Sequence, residues 1–157
     1  TSELTRSPHL AHLGPEPLEK KFDYESFSER LLKKLRGKIK SVLLDQTIIA
    51  GIGNIYSDEM LWRAGIHPET RVGTLKSARL QKLFIAMKEV LRGGIEFGGD
   101  SMSDYRNIFG EKGRYQEKHH AYQKKGAKCD KRGCGGIIVR KIVGARSAHF
   151  CPKHQER

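Results

Sequence analysis

Three cysteines and one histidine near the C-terminal end constrain this chain more than any other feature. They fall as Cys129-x4-Cys134, a gap of sixteen residues, then Cys151-x2-His154. Two close pairs joined by a hairpin-length segment are how a protein offers four N and S donors to a tetrahedral zinc ion. Between the pairs, Gly135-Gly136 predicts a turn, Ile137-Ile138-Val139 the start of a strand, Gly144-Ala145 a second turn, and Arg146 to Phe150 the returning strand. About thirty residues cannot bury a sizeable core unaided, so the metal must help to fold them. His154 is preferred over His119, His120 and His149 because it forms a close pair with Cys151. Four protein donors leave no position for water, so one structural zinc ion is expected and a zinc hydrolase is not. The odd cysteine count also argues against a disulfide scheme.

The remainder reads as mainly helical. Asp23 is a candidate N-cap for a first helix whose stripe is Phe27, Leu31 and Leu35, widened by Leu32, with Gly37 as its stop. A short helix is expected from Ser41 to Gln46. Ile48-Ile49-Ala50-Gly51-Ile52-Gly53-Asn54 then makes a glycine turn, with Asn54 as N-cap of a helix that ends at Gly65. Asp58 and Glu59 fall in its first turns, where they complement the dipole. A long helix after Thr74 carries the stripe Leu80, Leu83, Phe84, Met87, Val90 and Leu91, which is core. From Gly93 the chain becomes glycine-rich and polar, and strand signals return over Lys118 to Tyr122. The expected division is a linker over residues 1–21, a helical domain over 22–117 containing a functional loop at 98–113, and the metal-bearing tail over 118–157.

Charge points to the partner. The chain has 157 residues, with 30 Lys and Arg against 18 Asp and Glu, a formal net charge of +12. Such an excess favours a polyanion, because each phosphate neutralised releases condensed counterions. Lys33, Lys34, Arg36, Lys38 and Lys40 cluster beyond the first helix, either as a solvated, dipole-compensating end or as a phosphate-facing set. The Gly53-Asn54 turn opens a helix N-terminus, a ready anion site, although such a turn also serves as steric relief between packed helices. Arg146 beside the hairpin turn is the candidate tip residue, flanked by Lys141, with Lys128, Lys131 and Arg132 at the base. No apolar run approaches a membrane span, and residues 1–18 lack a signal-peptide core, so a cytoplasmic setting is expected.

These pieces together resemble one family. Leu43-Leu44-Asp45-Gln46 and Ala50-Gly51-Ile52-Gly53-Asn54-Ile55-Tyr56, continued by Asp58-Glu59 and Arg63-Ala64-Gly65-Ile66-His67-Pro68, resemble the helix-two-turn-helix motif of the bacterial formamidopyrimidine-DNA glycosylase/endonuclease VIII family. Residues 10–18 resemble that family's interdomain segment, and the tail resembles its zinc finger. The resemblance implies a helix-two-turn-helix bundle with a C-terminal β-hairpin zinc finger. It implies an enzyme that flips out and excises oxidised purines (8-oxoguanine, formamidopyrimidines) and cleaves the abasic strand. By the same resemblance Gly53 and Asn54 hold a phosphate; on the phosphate-facing reading of the basic cluster, Lys34, Arg36 and Lys40 are the further DNA contacts expected. Arg146 sits on the backbone as proton donor for the δ-elimination step, and Ser101, Ser103 and Tyr105 belong to a loop over the flipped base. Damaged duplex DNA is the implied partner of a monomeric, nucleoid-associated protein.

The chain departs from the family pattern in three places. The family's nucleophile is an N-terminal proline followed by glutamate, whereas this chain begins Thr1-Ser2-Glu3. The domain carrying the first chemical step is therefore expected to be absent from it. The ligand set is Cys-x4-Cys and Cys-x2-His where the family usually has Cys-x2-Cys twice, and Ser103 stands where many relatives carry an arginine. The competing reading is a stand-alone zinc-containing nucleic-acid-binding module.

Overall fold

A computed structural model describes residues 13–96 and 119–157 of the chain. Among these residues four helices precede one hairpin: α1 (Tyr24–Leu31), α2 (Ile39–Leu44), α3 (Asn54–Ala64), α4 (Ser77–Glu96), β1 (Val139–Val143) and β2 (Arg146–Phe150). Single 3₁₀ turns cover Leu32–Lys34 and Val72–Thr74. None of the described helices is long and apolar enough to cross a membrane. The expected loop at 98–113, with Ser101, Ser103 and Tyr105, lies outside the described residues, as does the chain before Leu13.

Helix α1 starts as its sequence predicts, with the Asp23 carboxylate accepting the Ser26 N–H at 2.9 Å. Phe27 and Leu31 are buried, but the stripe does not run on to Leu35. The α-helix gives way to a 3₁₀ turn, whose tighter winding rotates the next residues off the buried face. Leu32 and Leu35 are left 42% and 53% exposed. Helix α2 begins and ends two residues earlier than expected, because Asp45 is extended and Gln46 is used in the following turn. Helix α4 continues through Gly93 and Gly94, into the stretch where the sequence turns glycine-rich. At Gly94 a Cβ would lie 2.5 Å from Tyr56 Oη, so this glycine lets α4 approach α3.

The segment read as linker also packs: Gly14 N–H donates to the Gln46 carbonyl at 2.7 Å, and Ala50 N–H donates to the Pro15 carbonyl at 3.0 Å. Phe84, Phe22, Phe27 and Tyr24 stack edge to face or tilted beneath α4.

Helix α3 is the centre. Six consecutive residues, Ser57 to Trp62, are buried, which no helix packed on one side can achieve. Met60 and Leu61 face the helical core, whereas Trp62 joins Ala121, Cys129, Cys134, Ile138 and Cys151 in the core of the tail. Helix α3 ends at Gly65, whose φ of +73° suits glycine, and Gly65 N–H returns to the carbonyls of Leu61 and Trp62.

The hairpin pairs antiparallel from Val139↔Phe150 to Val143↔Arg146, around a turn in which Gly144 has φ +64°. Of the strand expected over Lys118 to Tyr122, none is present among the described residues. The described residues 119–122 form bends and turns, because their amides are taken by a side chain of α3.

Two buried carboxylates of α3 join the tail to the helices. Asp58, 1% exposed, pairs with fully buried Lys40 and accepts the His149 backbone N–H at 3.0 Å, with His149 Nδ1 also 3.0 Å away. Glu59 accepts the N–H groups of His120, Ala121 and Tyr122 at 2.7, 2.9 and 2.8 Å. At the chain end Gln155 accepts from Cys151 N–H at 2.8 Å and donates to the Ile66 carbonyl at 3.0 Å. Removing one member of a buried ion pair leaves the other charge without compensation, a loss of about 3–5 kcal/mol. Lys40→Met and Asp58→Asn should each destabilise by about 3 kcal/mol, and the double variant by clearly less than the sum. Urea unfolding of the four proteins measures this, and strict additivity would show that the pair is uncoupled.

Glu69 makes the outer joint. Its carboxylate takes Lys141 at 2.7 Å and Arg157 at 3.2 Å from the tail, and Lys38 at 3.4 Å from the residue before α2. The hydrogen bond from Lys141, with help from Lys38 and against the opposing effect of burial, holds this carboxyl below its ordinary pKa of 4.5. A lowered folded pKa gives stability that is present above the unfolded pKa and is lost as pH falls through the folded one. Glu69→Gln should therefore lower stability by about 1 kcal/mol at neutral pH and by nothing at pH 2–3, as read from thermal unfolding across that range.

Candidate nucleic-acid interface and metal centre

The tail gathers the four residues singled out by spacing. The donor atoms of Cys129, Cys134, Cys151 and His154 all lie within 4.8 Å of one another. Cys129 Sγ is 3.5 Å from His154 Nδ1, Cys134 Sγ is 3.6 Å from Cys151 Sγ, and Cys134 Sγ is 3.7 Å from His154 Nδ1. Donors at about 2.3 Å from a common tetrahedral centre stand about 3.8 Å apart, so the set has metal-site dimensions.

Its surroundings fit the same use. His154 Nε2 lies 3.0 Å from the Trp62 carbonyl, an arrangement that puts the proton on Nε2 and leaves Nδ1 as a lone-pair donor. Burial lowers the His154 pKa, which keeps the imidazole neutral as a ligand must be. A Cβ on Gly136 would come within 2.5 Å of Cys151 Sγ, so the backbone closes over the sulfurs only because this residue is glycine. The Trp62 ring stacks on His120 at 4.3 Å and meets His154 edge-on at 5.2 Å, walling the cluster from α3.

The second feature is the start of α3. The loop leading to it is pinned at each step. Asp45 accepts from Thr47 N–H and Oγ1 at 2.9 and 2.6 Å, and Gln46 accepts from Gly51 N–H at 2.8 Å while donating to the Ile52 carbonyl at 2.9 Å. Arg30 donates to the carbonyls of Thr47 and Ile48, both at 2.7 Å. Gly51 needs its glycine, with φ +88°. Gly53 does not: its φ is −97°, and a Cβ there would meet nothing within 4 Å. It lies at an exposed N-cap, and Asn54, expected as the cap, is the first helical residue instead. Asn54 Oδ1 is buried without a hydrogen-bond partner among the described residues.

A chain of polar contacts runs from this end towards the hairpin turn. Ser57 Oγ donates to the Asn54 carbonyl at 2.8 Å and accepts from Lys40 Nζ at 3.1 Å. Lys40 leads to Asp58, and Asp58 to His149, three residues along β2 from exposed Arg146. Burial lowers the Lys40 pKa, Asp58 opposes that shift, and the Arg146 charge adds to it. The turn itself rests on α2, where a Cβ on Gly144 would lie 2.8 Å from Ser41 Oγ.

Among the residues expected to face DNA, Lys34, Arg36, Gly53 and Arg146 are exposed. Lys40 is not, and this corrects the expectation: it has no exposed surface and its ammonium is committed to Asp58 and Ser57. Asp58, Glu59, His149 and Gln155 carry almost no sequence signal for the roles the structure gives them. The partners through which they join tail to helices lie sixty-one to ninety-one residues away, so no local pattern marks them. The one available signal was the adjacency of Asp58 and Glu59 to the apolar run Met60-Leu61-Trp62.

Comparison with known proteins agrees with this architecture. The family described as the formamidopyrimidine-DNA glycosylase H2TH domain matches residues 13–106, starting inside the stretch read as linker. The formamidopyrimidine-DNA glycosylase of Solibacter usitatus is 47% identical over 148 residues, covering 94% of this chain and 54% of the relative. The corresponding protein of Ligilactobacillus salivarius is 46% identical over 146 residues, covering 93% and 52%. Among solved structures, the Fpg (MutM) protein of Thermus thermophilus superposes with a TM-score of 0.86 at 39% identity, covering 96% of this chain and 57% of that one. Lactococcus lactis Fpg in complex with DNA containing an abasic site gives 0.83 at 40% identity, covering 93% and 52%. The chain thus spans about half the length of the relatives it matches. On the match over residues 13–106, the chain belongs to the formamidopyrimidine-DNA glycosylase H2TH domain family.

Proposed function

We propose that this chain is the DNA-binding part of a base-excision repair glycosylase and abasic-site lyase that removes oxidised purines, 8-oxoguanine and formamidopyrimidines, and nicks the abasic strand. The observation that carries the reading is the open start of α3, with Gly53 exposed and unobstructed, tied through Ser57, Lys40, Asp58 and His149 towards exposed Arg146. Similarity along nearly the whole chain to a protein solved with abasic-site DNA supports it over a stand-alone binding module.

In this reading the α3 amides at Gly53 and Asn54 hold one backbone phosphate, where the N–H groups and the helix dipole both favour an anion. Lys34 and Arg36 meet neighbouring phosphates as point charges. Arg146, on the turn side of the hairpin, holds the backbone beside the abasic sugar and donates the proton of the δ-elimination step. Ser101, Ser103 and Tyr105 belong to the loop over the flipped base. Cys129, Cys134, Cys151 and His154 hold one zinc ion, which cross-links the tail and offers no open position to a substrate. The protein acts as a monomer on damaged duplex DNA in the bacterial cytoplasm.

Two measurements test this. Fluorescence anisotropy on a duplex with an abasic analogue should show affinity that falls steeply with salt. Asn54→Pro, which removes one of the two amides at a first helical position that tolerates proline, and Arg146→Ala should each weaken it by about tenfold, the value of a charge-assisted contact to phosphate. Salt-independent binding, or two silent variants, would overturn the proposal. Metal analysis should find one zinc per chain. Its removal by a chelator should abolish the chemical-shift dispersion of residues 119–157 while leaving the far-UV helical signal largely intact. A tail that stays folded without metal would show that zinc is not its scaffold.

A further inference from the structure

A second cationic site lies away from the residues assigned above. The 3₁₀ turn over Val72–Thr74, the segment before α2 and the C-terminal residue flank an open cavity of about 330 Å³ lined by Lys38, Glu69, Thr70, Arg71, Thr74 and Arg157. None of the DNA-facing residues named above lines it. Glu69 gathers Lys38, Arg157 and Lys141 of β1, and Arg71 lines the same cavity, so four cations stand around one carboxylate that pairs with three of them. That carboxylate is fully engaged: Oε1 takes Lys141 and Arg157, and Oε2 takes Lys38. It fixes three cations in place without matching their charge. The Arg71 guanidinium is held separately, by Nη1 donating to the Arg36 carbonyl at 2.6 Å.

The wall also contains an unmatched donor. Thr70 is 2% exposed, and its Oγ1 is buried without a hydrogen-bond partner among the described residues. Its backbone is fully used, the carbonyl accepting from Ile39 N–H at 2.7 Å and the N–H donating to the His67 carbonyl at 3.0 Å. The orphan is therefore the hydroxyl alone, and native structures seldom leave such a group unpaired without a reason. Ammonium and guanidinium groups only donate hydrogen bonds. A cavity with excess positive charge, three anchored donors and an unpaired hydroxyl calls for a ligand that is anionic and rich in acceptors.

We infer that this cavity binds a phosphate group, with Lys38, Arg71 and Arg157 as its charged donors and Thr70 as its neutral one. A tetrahedral phosphate offers several acceptor oxygens at once, which suits donors converging from three segments of chain. Two sources share this chemistry, a backbone phosphodiester of nucleic acid and free phosphate. The site holds or fails independently of the Asn54–Arg146 reading.

The test uses the zinc-loaded chain, with inorganic phosphate titrated against chloride at constant ionic strength and backbone amide shifts as readout. Saturating shifts are expected at residues 38, 69–74 and 157. Arg71→Gln should weaken phosphate binding about tenfold. Thr70→Val is nearly isosteric and removes only the hydroxyl. It should weaken phosphate binding severalfold and raise the thermal midpoint of the phosphate-free chain, because it deletes an unpaired buried group. A purely structural Thr70 would not move the two readouts in opposite directions. If duplex DNA displaces phosphate and Arg71→Gln lowers the salt slope of duplex binding by about one, the natural ligand is a backbone phosphate. If duplex leaves the phosphate shifts unchanged, it is free phosphate. No saturation at these amides, or equal phosphate affinity in both variants and the parent, overturns the inference.

Discussion

The carboxylates of Asp58 and Glu59 are the constraint on which the rest of this structure depends. A carboxylate removed from water is tolerated only if its charge and lone pairs are matched. Here the two are adjacent on one helix, and neither can match itself. Asp58 is matched by Lys40 from α2 and by His149 from β2, and Glu59 by three consecutive amides of the segment entering the tail. The tail cannot leave α3 without exposing these groups together, so tail and helical bundle are held as one body. Apolar contact alone would allow sliding. A fixed set of polar partners allows one arrangement.

That arrangement sets the metal cluster as well. His154 is a good donor because its other nitrogen meets the Trp62 carbonyl, and Trp62 is buried because α3 is covered by the tail on that face. The Cys-x2-His pair thus takes its ring orientation from a helix ninety-two residues earlier in the chain. With a cysteine at position 154, the Trp62 carbonyl would lose this partner, so the departure from an all-cysteine ligand set has a structural counterpart in the bundle.

Much of this was legible in the sequence, where the determinants are local. The Asp23 cap, the α4 stripe, the Gly65 stop, the Gly144 turn and the ligand pairs each depend on residues a few positions apart, and each lies where expected. What was illegible depends on distant partners. Leu35 fits a helical stripe, but the chain tightens into a 3₁₀ turn before reaching it. Gly93 and Gly94 look like a helix end, yet Gly94 is required by Tyr56, thirty-eight positions away, for close helix packing. Lys40 belongs by composition to a basic cluster, and only its partner Asp58 shows that it points inward.

The fate of Lys40 bears on how the net charge of +12 should be understood. A basic chain does not present all its cations to a polyanion. Lys40 is neutralised within the core, and Lys38, Lys141 and Arg157 are gathered by Glu69. The charges left for a groove or a strand are those whose positions are set by rigid elements, Arg146 by the hairpin and the α3 amides by the helix. Electrostatic attraction brings DNA to any basic surface, but register on the duplex comes from groups that cannot move. Because Asp58 anchors β2 to the same helix that presents Gly53 and Asn54, the distance between the two proposed phosphate contacts is a property of the folded core rather than of flexible side chains. In the function proposed above, a buried lysine committed to Asp58 and Ser57 therefore contributes to how DNA would be held.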